Sequence, residues 1–227
     1  MLVKNWMSKN VITIDADDSM QHAIKLLKEH KINLLPVMKK GKLAGVITDR
    51  DLKKSSPSEA TTLDMHELLY LLSKIKVQDI MSKKLYTVPD DYTVEETAEI
   101  LLEKRISGVP VVDEKGKPVG IITKNDIFRL LISLTGLGKK GVQIAVQLKD
   151  IPGAIKGVRE LIRKYDGRTA SILTSSENIP EGKLNVYFRI YQVEKAKLQA
   201  LVKDIQENGT MLYLVDHRDG KRKIYSS

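Results

Sequence analysis

Cysteine is absent from the 227-residue sequence. Its absence excludes a disulfide framework, a thiolate nucleophile and a thiolate metal site. The four histidines lack the spacing of metal ligands, so we expect no metal site. A P-loop and a Gly-x-Ser-x-Gly motif are missing as well. The sequence offers no catalytic residues, and we expect a protein that is not an enzyme.

Long apolar runs are also missing. No stretch approaches the roughly 18 residues that a membrane-spanning helix needs, and residues 1–10 lack the apolar core of a signal peptide. Hydrophobic residues still make up 42% of the chain, which is enough to form a packed core. We therefore expect a cytoplasmic protein without a membrane partner.

Acidic residues are fewer than basic ones: the chain has 29 Asp and Glu and 38 Lys and Arg, which gives a net charge of +9. Such a balance is typical of proteins that bind nucleic acids, anionic lipids or phosphorylated small molecules. The lysines are interleaved with acidic residues, and only Lys221, Arg222 and Lys223 form a dense cluster. A cluster of three residues is a weak patch, and this pattern argues against nucleic acid as the main ligand. A nucleic-acid-associated regulator that uses its basic surface is the alternative.

One sequence pattern occurs twice in the first half of the chain. Each copy contains Met-Ser-Lys, then a hydrophobic residue followed by Pro-Val, then Gly-h-h-Thr-x-x-Asp, where h is hydrophobic. The copies are 74 residues apart at Pro36 and Pro110, and 75 apart at Gly45 and Gly120. A copy of about 50 residues has too little core to stand alone. We therefore expect the two copies to face each other.

Each copy predicts the same local elements. A helix follows Ser19 in the first copy, and Thr93 with Glu96 forms a capping box in the second. Two short strands and a further helix, beginning at the Asp, complete each copy. In the second copy this further helix carries apolar residues at core spacing: Ile127, Leu130, Leu131 and Leu134.

The segment between the copies predicts an additional amphipathic helix. A Ser-Ser-Pro-Ser loop at 55–58 precedes a capping box formed by Asp64 and Glu67. Leucines and Ile75 follow at helical spacing. This helix either packs against its own module or provides a dimer contact or a signal-transmitting surface.

The repeated pattern resembles a tandem CBS motif pair, also termed a Bateman module, over residues 1–135. Repeat one would span about 1–54, the connector helix 55–76 and repeat two about 77–135. The resemblance implies a regulatory protein that binds an adenine nucleotide (AMP, ADP or ATP) or S-adenosylmethionine between its repeats, with no required cofactor. It also implies a homodimer and a regulated partner protein.

In this family, each ligand site combines the Thr and Asp of one repeat with the strand before the proline of the other. By resemblance, site one would contain Thr48, Asp51, Thr87, Ile106, Ser107, Gly108 and Val109. Site two would contain Thr123, Asp126, Thr13, Ile32, Asn33, Leu34 and Leu35.

The residue types of the Thr-x-x-Asp motif suit a nucleotide. A Thr hydroxyl at a helix start can donate to a phosphate oxygen, and an Asp carboxylate can accept from both ribose hydroxyls. Arg50 and Lys124 follow the two Thr residues closely and would neighbour the phosphate. In the structural alternative, the Thr merely ends a strand, and Asp51 and Asp126 act as helix N-caps.

The two sites differ in the strand that would hold the purine. Ser107 and Gly108 are small and leave room in site one, whereas Leu34 narrows the slot of site two. Asp49 places an unfavourable charge in site one, but a surface charge is screened more easily than a steric block is removed. We therefore expect site one to be the occupied site.

The sequence pattern of the second half of the chain predicts a different domain. The glycine-rich segment 136–141 predicts a hinge. Over 142–218 the periodicities give strand, helix, strand, strand, helix, strand, which is the ferredoxin-like order. Asp150-Ile151-Pro152-Gly153 at the first strand–helix junction makes the segment similar to the ACT domain. Residues 219–227 would form a basic tail.

The ACT resemblance implies an amino-acid ligand near Asp150 and Gly153. Pro152 would lie in the first turn of a helix whose N-cap region includes Asp150. The predicted fold class is thus α+β (mixed α/β), a tandem CBS pair followed by a ferredoxin-like βαββαβ ACT domain. This combination resembles a family associated with acetoin utilisation. We expect a ligand-sensing regulator that dimerises through its CBS domains and also through its ACT domain.

Overall fold

Each repeat forms its own three-stranded sheet in which the first strand is parallel to the second and the third is antiparallel. The computed structural model describes residues 1–56 and 64–225. In chain order the elements of the first half are β1 (Ile14–Asp15), α1 (Met20–His30), β2 (Leu34–Lys39), β3 (Lys42–Thr48), α2 (Asp49–Ser55), α3 (Met65–Lys74), α4 (Val77–Ile80), β4 (Val88–Pro89), α5 (Val94–Glu103), β5 (Gly108–Val112), β6 (Pro118–Thr123) and α6 (Lys124–Leu134). The chain divides into two compact units, Met1–Phe128 and Arg129–Ser227.

The caps of α1 and α5 form as predicted. The Ser19 hydroxyl oxygen accepts a hydrogen bond from the His22 amide at 3.2 Å. Thr93 and Glu96 form a reciprocal capping box, because each side chain accepts from the backbone amide of the other. Such caps satisfy amide groups that have no partner within the helix. Local sequence therefore fixes where both helices begin.

The two repeats exchange backbone hydrogen bonds in a symmetric way. The Ser82 amide donates to the Val46 carbonyl at 2.9 Å, and the Val46 amide donates back at 3.2 Å. Ser8 and Ile121 do the same at 2.9 Å in both directions. The Met-Ser-Lys segment of each repeat thus adds to the third strand of the other. This exchange makes the two repeats one folded unit.

The glycines that open the Gly-h-h-Thr segments allow this close approach. A Cβ at Gly45 would lie 2.6 Å from the Ser82 carbonyl oxygen. A Cβ at Gly120 would overlap the Met7 side chain. A side chain at either position would therefore have to displace atoms of the other repeat.

One face of the connector helix α3 packs against the core of repeat one. Leu72 is buried and Ile75 is half-buried against the core that contains Met20 and Leu27 of α1. The capping box of Asp64 and Glu67 is present, with distances of 2.8 and 3.1 Å. Pro57 and Ser58 of the predicted loop lie outside the described residues. Packing against the same module is thus confirmed for this helix, whose other face is exposed at Leu69, Tyr70 and Leu71.

Helix α6 departs from the predicted core pattern. Leu130 is buried, but Leu131 is 52% and Leu134 is 38% exposed, so the prediction that both lie in the core is wrong. Phe128 and Ile132 are also exposed, by 57% and 52%. Because residues three and four apart share a helix face, Phe128, Leu131 and Ile132 form one apolar surface.

The second unit is a five-stranded sheet with two helices. Its elements are β7 (Val142–Lys149), α7 (Ala154–Lys164), β8 (Arg168–Ser175), β9 (Lys183–Tyr191), α8 (Lys195–Gln206), β10 (Thr210–Asp216) and β11 (Lys221–Ile224). The strands lie in the order β11-β10-β7-β9-β8 and every neighbouring pair is antiparallel. The order from β7 to β10 is the predicted one. The segment predicted as a basic tail instead contributes β11.

The core of this unit lies between one sheet face and both helices. Alternate residues of β7 and β9, such as Ile144 and Phe188, are fully buried against Ile162 of α7 and Leu201 of α8. Alternation places these strand side chains on one face. The hydrophobic pattern therefore explains which face the helices cover.

The glycine-rich segment 136–141 contains a short 3-10 helix, Leu137–Lys139, flanked by left-handed residues Gly136 and Lys140. Its glycines match the Gly-x-Gly-x-x-Gly spacing of dinucleotide-binding loops. That fingerprint requires a strand before the glycines and a helix after them. Here a helix precedes and β7 follows, so the fingerprint is not met. The predicted hinge stays a prediction.

Candidate functional site

A cavity of about 680 Å³ lies in the first unit, where residues of both repeats meet. The Thr48 end of β3, the start of α2 and the segment before Pro110 line it. The full set of lining residues is Asn33, Leu34, Val46, Thr48, Asp49, Arg50, Asp51, Lys53, Lys54, Ser82, Lys84, Tyr86, Arg105, Ile106, Ser107, Gly108 and Val109. Its volume falls in the range of small-molecule sites, roughly 300–1,000 Å³.

Thr48 and Asp51 form a capping box at the start of α2. The Asp51 Oδ2 atom accepts from the Thr48 hydroxyl at 2.5 Å and from the Thr48 amide at 3.0 Å. The Asp51 amide points back to the Thr48 hydroxyl oxygen at 3.4 Å. Thr48 is therefore the N-cap, and the alternative that Asp51 is the N-cap is wrong, because Asp51 is the third residue of the helix. Both hydrogen bonds fall on one carboxylate oxygen, and within the described residues Oδ1 of Asp51 accepts none.

The second repeat shows the same geometry. Asp126 Oδ2 accepts from the Thr123 hydroxyl at 2.6 Å and from the Thr123 amide at 2.8 Å. Helix α6 begins at Lys124, so Asp126 is likewise inside the helix and is not its N-cap. Asp126 is only 4% exposed, whereas Asp51 is half-buried. The Asp51 carboxylate is thus the more accessible of the two.

Positive charge dominates the wall of the cavity. Five cationic side chains line it, and they are Arg50, Lys53, Lys54, Lys84 and Arg105. Only two acidic side chains do so, Asp49 and Asp51. Lys53 pairs with Asp49 at 2.7 Å, which offsets the charge that made site one unfavourable in the sequence. The cavity is therefore suited to an anionic ligand.

Six of the seven residues predicted for site one line this cavity, and they come from both repeats. Thr87 does not line it and is exposed, whereas its neighbour Tyr86 does. Asn33 and Leu34, predicted for site two, line the same cavity. Thr123 and Asp126 lie outside it, and Thr13 is exposed. The other residues predicted for site two are half-buried Ile32 and buried Leu35.

Gly108 has a second role that the sequence did not reveal. It lies opposite Thr123 in the sheet, and a Cβ there would be 2.9 Å from the Thr123 methyl carbon. The glycine therefore permits close contact of β5 and β6 in its own repeat. Leu34 occupies the equivalent position opposite Thr48.

Several lining residues were not found by sequence reasoning. These are Val46, Lys53, Lys54, Ser82, Lys84, Tyr86 and Arg105. Ser82 belongs to the repeated Met-Ser-Lys pattern, so the repeat could have predicted that it lines the cavity. The Lys84 ammonium lies 5.6 Å from the centre of the Tyr86 ring. This aromatic ring is a surface on which a flat ligand could stack.

In the second unit, the Asp-Ile-Pro-Gly turn differs from its prediction. Gly153 is the N-cap of α7 with a left-handed φ of 91°, and no side chain caps the helix. Pro152 precedes the helix and Asp150 does not cap it, so both parts of that prediction are wrong. The Asp150 amide instead donates to the Gly182 carbonyl at 2.9 Å. Asp150 and Gly153 are exposed.

Residues 1–56 and 64–225 also bear on two other kinds of site. No group of three or more His, Asp or Glu side chains there is arranged to hold a metal ion. In that same part of the chain, no helix has both the length and the apolar character of a membrane span.

The chain is similar to a known protein family and to known proteins. The sequence profile of the CBS domain matches residues 3–58 and 77–133. A CBS domain-containing protein of Dictyostelium discoideum is 36% identical over 135 residues, which cover 59% of this chain and 93% of that protein.

Solved structures match more than half of the chain. The CBS domain pair of protein MJ0100, in complex with 5′-methylthioadenosine and S-adenosyl-L-methionine, is 36% identical with a TM-score of 0.48, covering 58% of this chain and 99% of that chain. A proposed acetoin utilization protein (AcuB) from Vibrio cholerae is 23% identical with a TM-score of 0.49, covering 61% and 95%.

Proposed function

This chain belongs to the CBS domain family, and from that premise we propose that it is a regulatory protein whose cavity between the repeats binds an adenine nucleotide or an adenosyl compound. One observation carries the proposal. The Thr48–Asp51 pair of repeat one and the segment Ile106–Val109 of repeat two line the same cavity.

The ribose would bind at Asp51. Its Oδ2 atom is held by Thr48, which fixes the carboxylate in one orientation. Oδ1, which accepts no hydrogen bond from the described residues, is left for the ribose hydroxyls. A charge-assisted hydrogen bond of this kind is about twice as strong as a neutral one.

The phosphate would bind beside the cations of the cavity wall. Arg50 lies in the first turn of α2, where amide groups and the helix dipole also favour an anion. Lys54, Lys84 and Arg105 add charge around the cavity. These groups favour nucleotides over the uncharged nucleoside.

The purine would lie against the segment before Pro110. Ser107 is exposed there, and backbone amide and carbonyl groups can read the edge of adenine. The Tyr86 ring lines the same cavity and would stack on the base. The small residues of this segment thus leave the space that a base requires.

We further propose that the second unit is an ACT domain. The order of β10, β7, β9 and β8 with α7 and α8 on one face supports this assignment. The exposed Asp150 and Gly153 are its proposed amino-acid contacts. The association with acetoin utilisation remains a prediction from the sequence.

A thermal-shift panel tests the proposed function. AMP, ADP, ATP, NAD, S-adenosylmethionine and amino acids would each be added to the full chain. A ligand present at about 100 times its dissociation constant stabilises the folded state by roughly 2.7 kcal/mol. We expect a rise in the melting temperature with at least one adenosyl compound. A panel without any shift contradicts the proposal, and salt-sensitive retention on DNA would favour the nucleic-acid alternative.

A further inference from the structure

A second cavity, of about 520 Å³, lies in the second unit between α7 and β8. β8 is an outer strand of the sheet and pairs only with β9 within the described chain. Arg159 and Arg163 of α7 line the cavity, together with Arg168 and Thr169 of β8 and Tyr191 of β9. Its size matches that of small-molecule sites.

Three arginines, all exposed, line this cavity. Arg159 and Arg163 are four residues apart and so share one face of α7. Arg168 lies with its guanidinium carbon 5.9 Å from the centre of the Tyr191 ring. No Asp or Glu lines the cavity. Among residues 1–56 and 64–225, none of the three arginines forms an ion pair with a carboxylate.

Three acidic residues of the second unit each pair with a lysine. Glu160 lies 3.8 Å from Lys156, Asp166 lies 2.6 Å from Lys197, and Asp204 lies 2.8 Å from Lys164. The carboxylates that follow or precede the arginines in sequence therefore do not neutralise them. Clustered like charges repel one another unless an anion joins them.

The chemistry of the wall selects a phosphate group. Arginine presents its donors as a planar fork that matches phosphate oxygens, and it often binds them through two hydrogen bonds. The Thr169 hydroxyl makes no hydrogen bond to a described residue and can donate as well. The Ser171 hydroxyl cannot, because it donates to the Thr135 carbonyl at 2.9 Å.

We propose that this cavity binds a phosphorylated small molecule. Arg159, Arg163 and Arg168 hold its phosphate group, and the body of the ligand packs against the Tyr191 ring. This site is separate from the cavity between the repeats and does not depend on the function proposed for that cavity. The three arginines line one cavity of about 520 Å³, a size that suits a small molecule better than an extended polymer.

Amide NMR of the full chain with inorganic pyrophosphate as the probe tests this site. The Gly167 and Thr169 signals report on the second cavity, and the Gly108 signal reports on the first. We expect saturable shifts at Gly167 and Thr169. The variant Arg159→Gln/Arg163→Gln should bind about tenfold more weakly or worse, because each lost charged hydrogen bond contributes to affinity.

Arg222→Gln is the matched control, because Arg222 lies in β11 at the opposite edge of the sheet. It removes one positive charge by the same kind of substitution, against two in the double variant, and should leave the affinity nearly unchanged. Arg159 and Arg163 are exposed, and melting temperatures would verify that their variants fold. The proposal is overturned if millimolar pyrophosphate leaves Gly167 and Thr169 unmoved. It is also overturned if Arg222→Gln weakens binding as much as the double variant does.

Discussion

The hydroxyl of Thr48 donates a 2.5 Å hydrogen bond to the carboxylate of Asp51, and Thr123 with Asp126 repeats this contact at 2.6 Å. The Thr-x-x-Asp motif thus caps a helix and presents a carboxylate at the same time. The structural and the ligand-binding interpretations of the motif are therefore not exclusive. What separates the two copies is access, since Asp126 is buried and Asp51 borders a cavity.

This difference predicts unequal effects of one substitution at the two positions. Asp51→Asn should weaken adenosyl-ligand binding by about tenfold or more, because a charged hydrogen bond to the ribose is lost. Its cost in stability should be only about 1 kcal/mol, as for other helix caps. Calorimetric titration and urea unfolding measure the two effects separately.

Asp126→Asn provides the comparison. It changes the equivalent capping contact but lies outside the cavity, so affinity should stay close to that of the native chain. Equal loss of affinity in both variants would show that the cavity is not the determining site.

The glycine contacts between the repeats predict a difference in stability. Gly45→Ala would place its methyl 2.6 Å from the backbone oxygen of Ser82. Gly120→Ala would meet the flexible Met7 side chain instead. Overpacking costs about 1–3 kcal/mol, and we expect Gly45→Ala to cost more because backbone cannot rotate away. Fluorescence of Trp6, the single tryptophan, follows urea unfolding of the first unit.

Two double variants test which atoms cause the loss of stability at each glycine. Met7→Ala should reduce the cost of Gly120→Ala, because the overlapping atoms belong to Met7. Met81→Ala should not rescue Gly45→Ala, since the Ser82 oxygen remains. Equal rescue in both cycles would contradict the packing described for Gly45.

An ion pair in the second unit predicts acid sensitivity. Asp216 is 4% exposed, and Arg218 donates to its two oxygens at 2.8 and 2.6 Å. The hydrogen bonds from Arg218 hold the pKa of Asp216 below its ordinary value. Since the folded pKa is the lower one, this contribution is present above the unfolded value of about 4 and is lost as the pH falls through the folded pKa.

Asp216→Asn should therefore destabilise the second unit by about 2 kcal/mol at neutral pH. The difference between the variant and the native chain should shrink as the pH drops below about 4. Amide signals of the second unit during urea unfolding provide the measurement. If the difference in unfolding free energy stays constant below pH 4, the lost stability would be due to packing and not to the ion pair.

The exposed surface of α6 predicts self-association. Phe128, Leu131 and Ile132 are each more than half exposed, and a second copy of the chain is the partner that the family resemblance implies. Ile132→Glu should shift the chain from dimer to monomer in light scattering, because a buried unpaired charge is costly. Lys124→Glu, on the same helix, is the control. A native chain that is already monomeric at micromolar concentration would contradict this prediction.

Local signals in the sequence were sufficient for much of the fold. Ser19 and the Thr93–Glu96 pair located their helices correctly, because a cap depends only on neighbouring residues. The alternation of apolar and polar residues along β7 and β9 predicted the strands of the second unit, because this pattern is also local. The meeting of Thr48 with the segment 106–109 was predicted only through the family resemblance, because no local pattern links the two repeats.

Other features depend on neighbours that a linear pattern does not reveal. Leu131 has helical core spacing, but the described residues do not bury it. Tyr86 and Arg105 enter the cavity wall through the contacts between repeats, and neither belongs to a motif. The 219–227 segment looked like a charged tail, yet backbone pairing with β10 makes part of it a strand. Backbone hydrogen bonds form whatever the charge of the side chains. The charged composition therefore led to the wrong prediction of a tail.

The most direct test is a crystal structure of the chain with the adenosyl ligand that gives the largest thermal shift. We expect ribose hydroxyls within hydrogen-bond distance of Asp51 and the base beside Tyr86 and Ser107. Ligand density elsewhere, or a cavity closed by the protein's own side chains around Thr48, would contradict it.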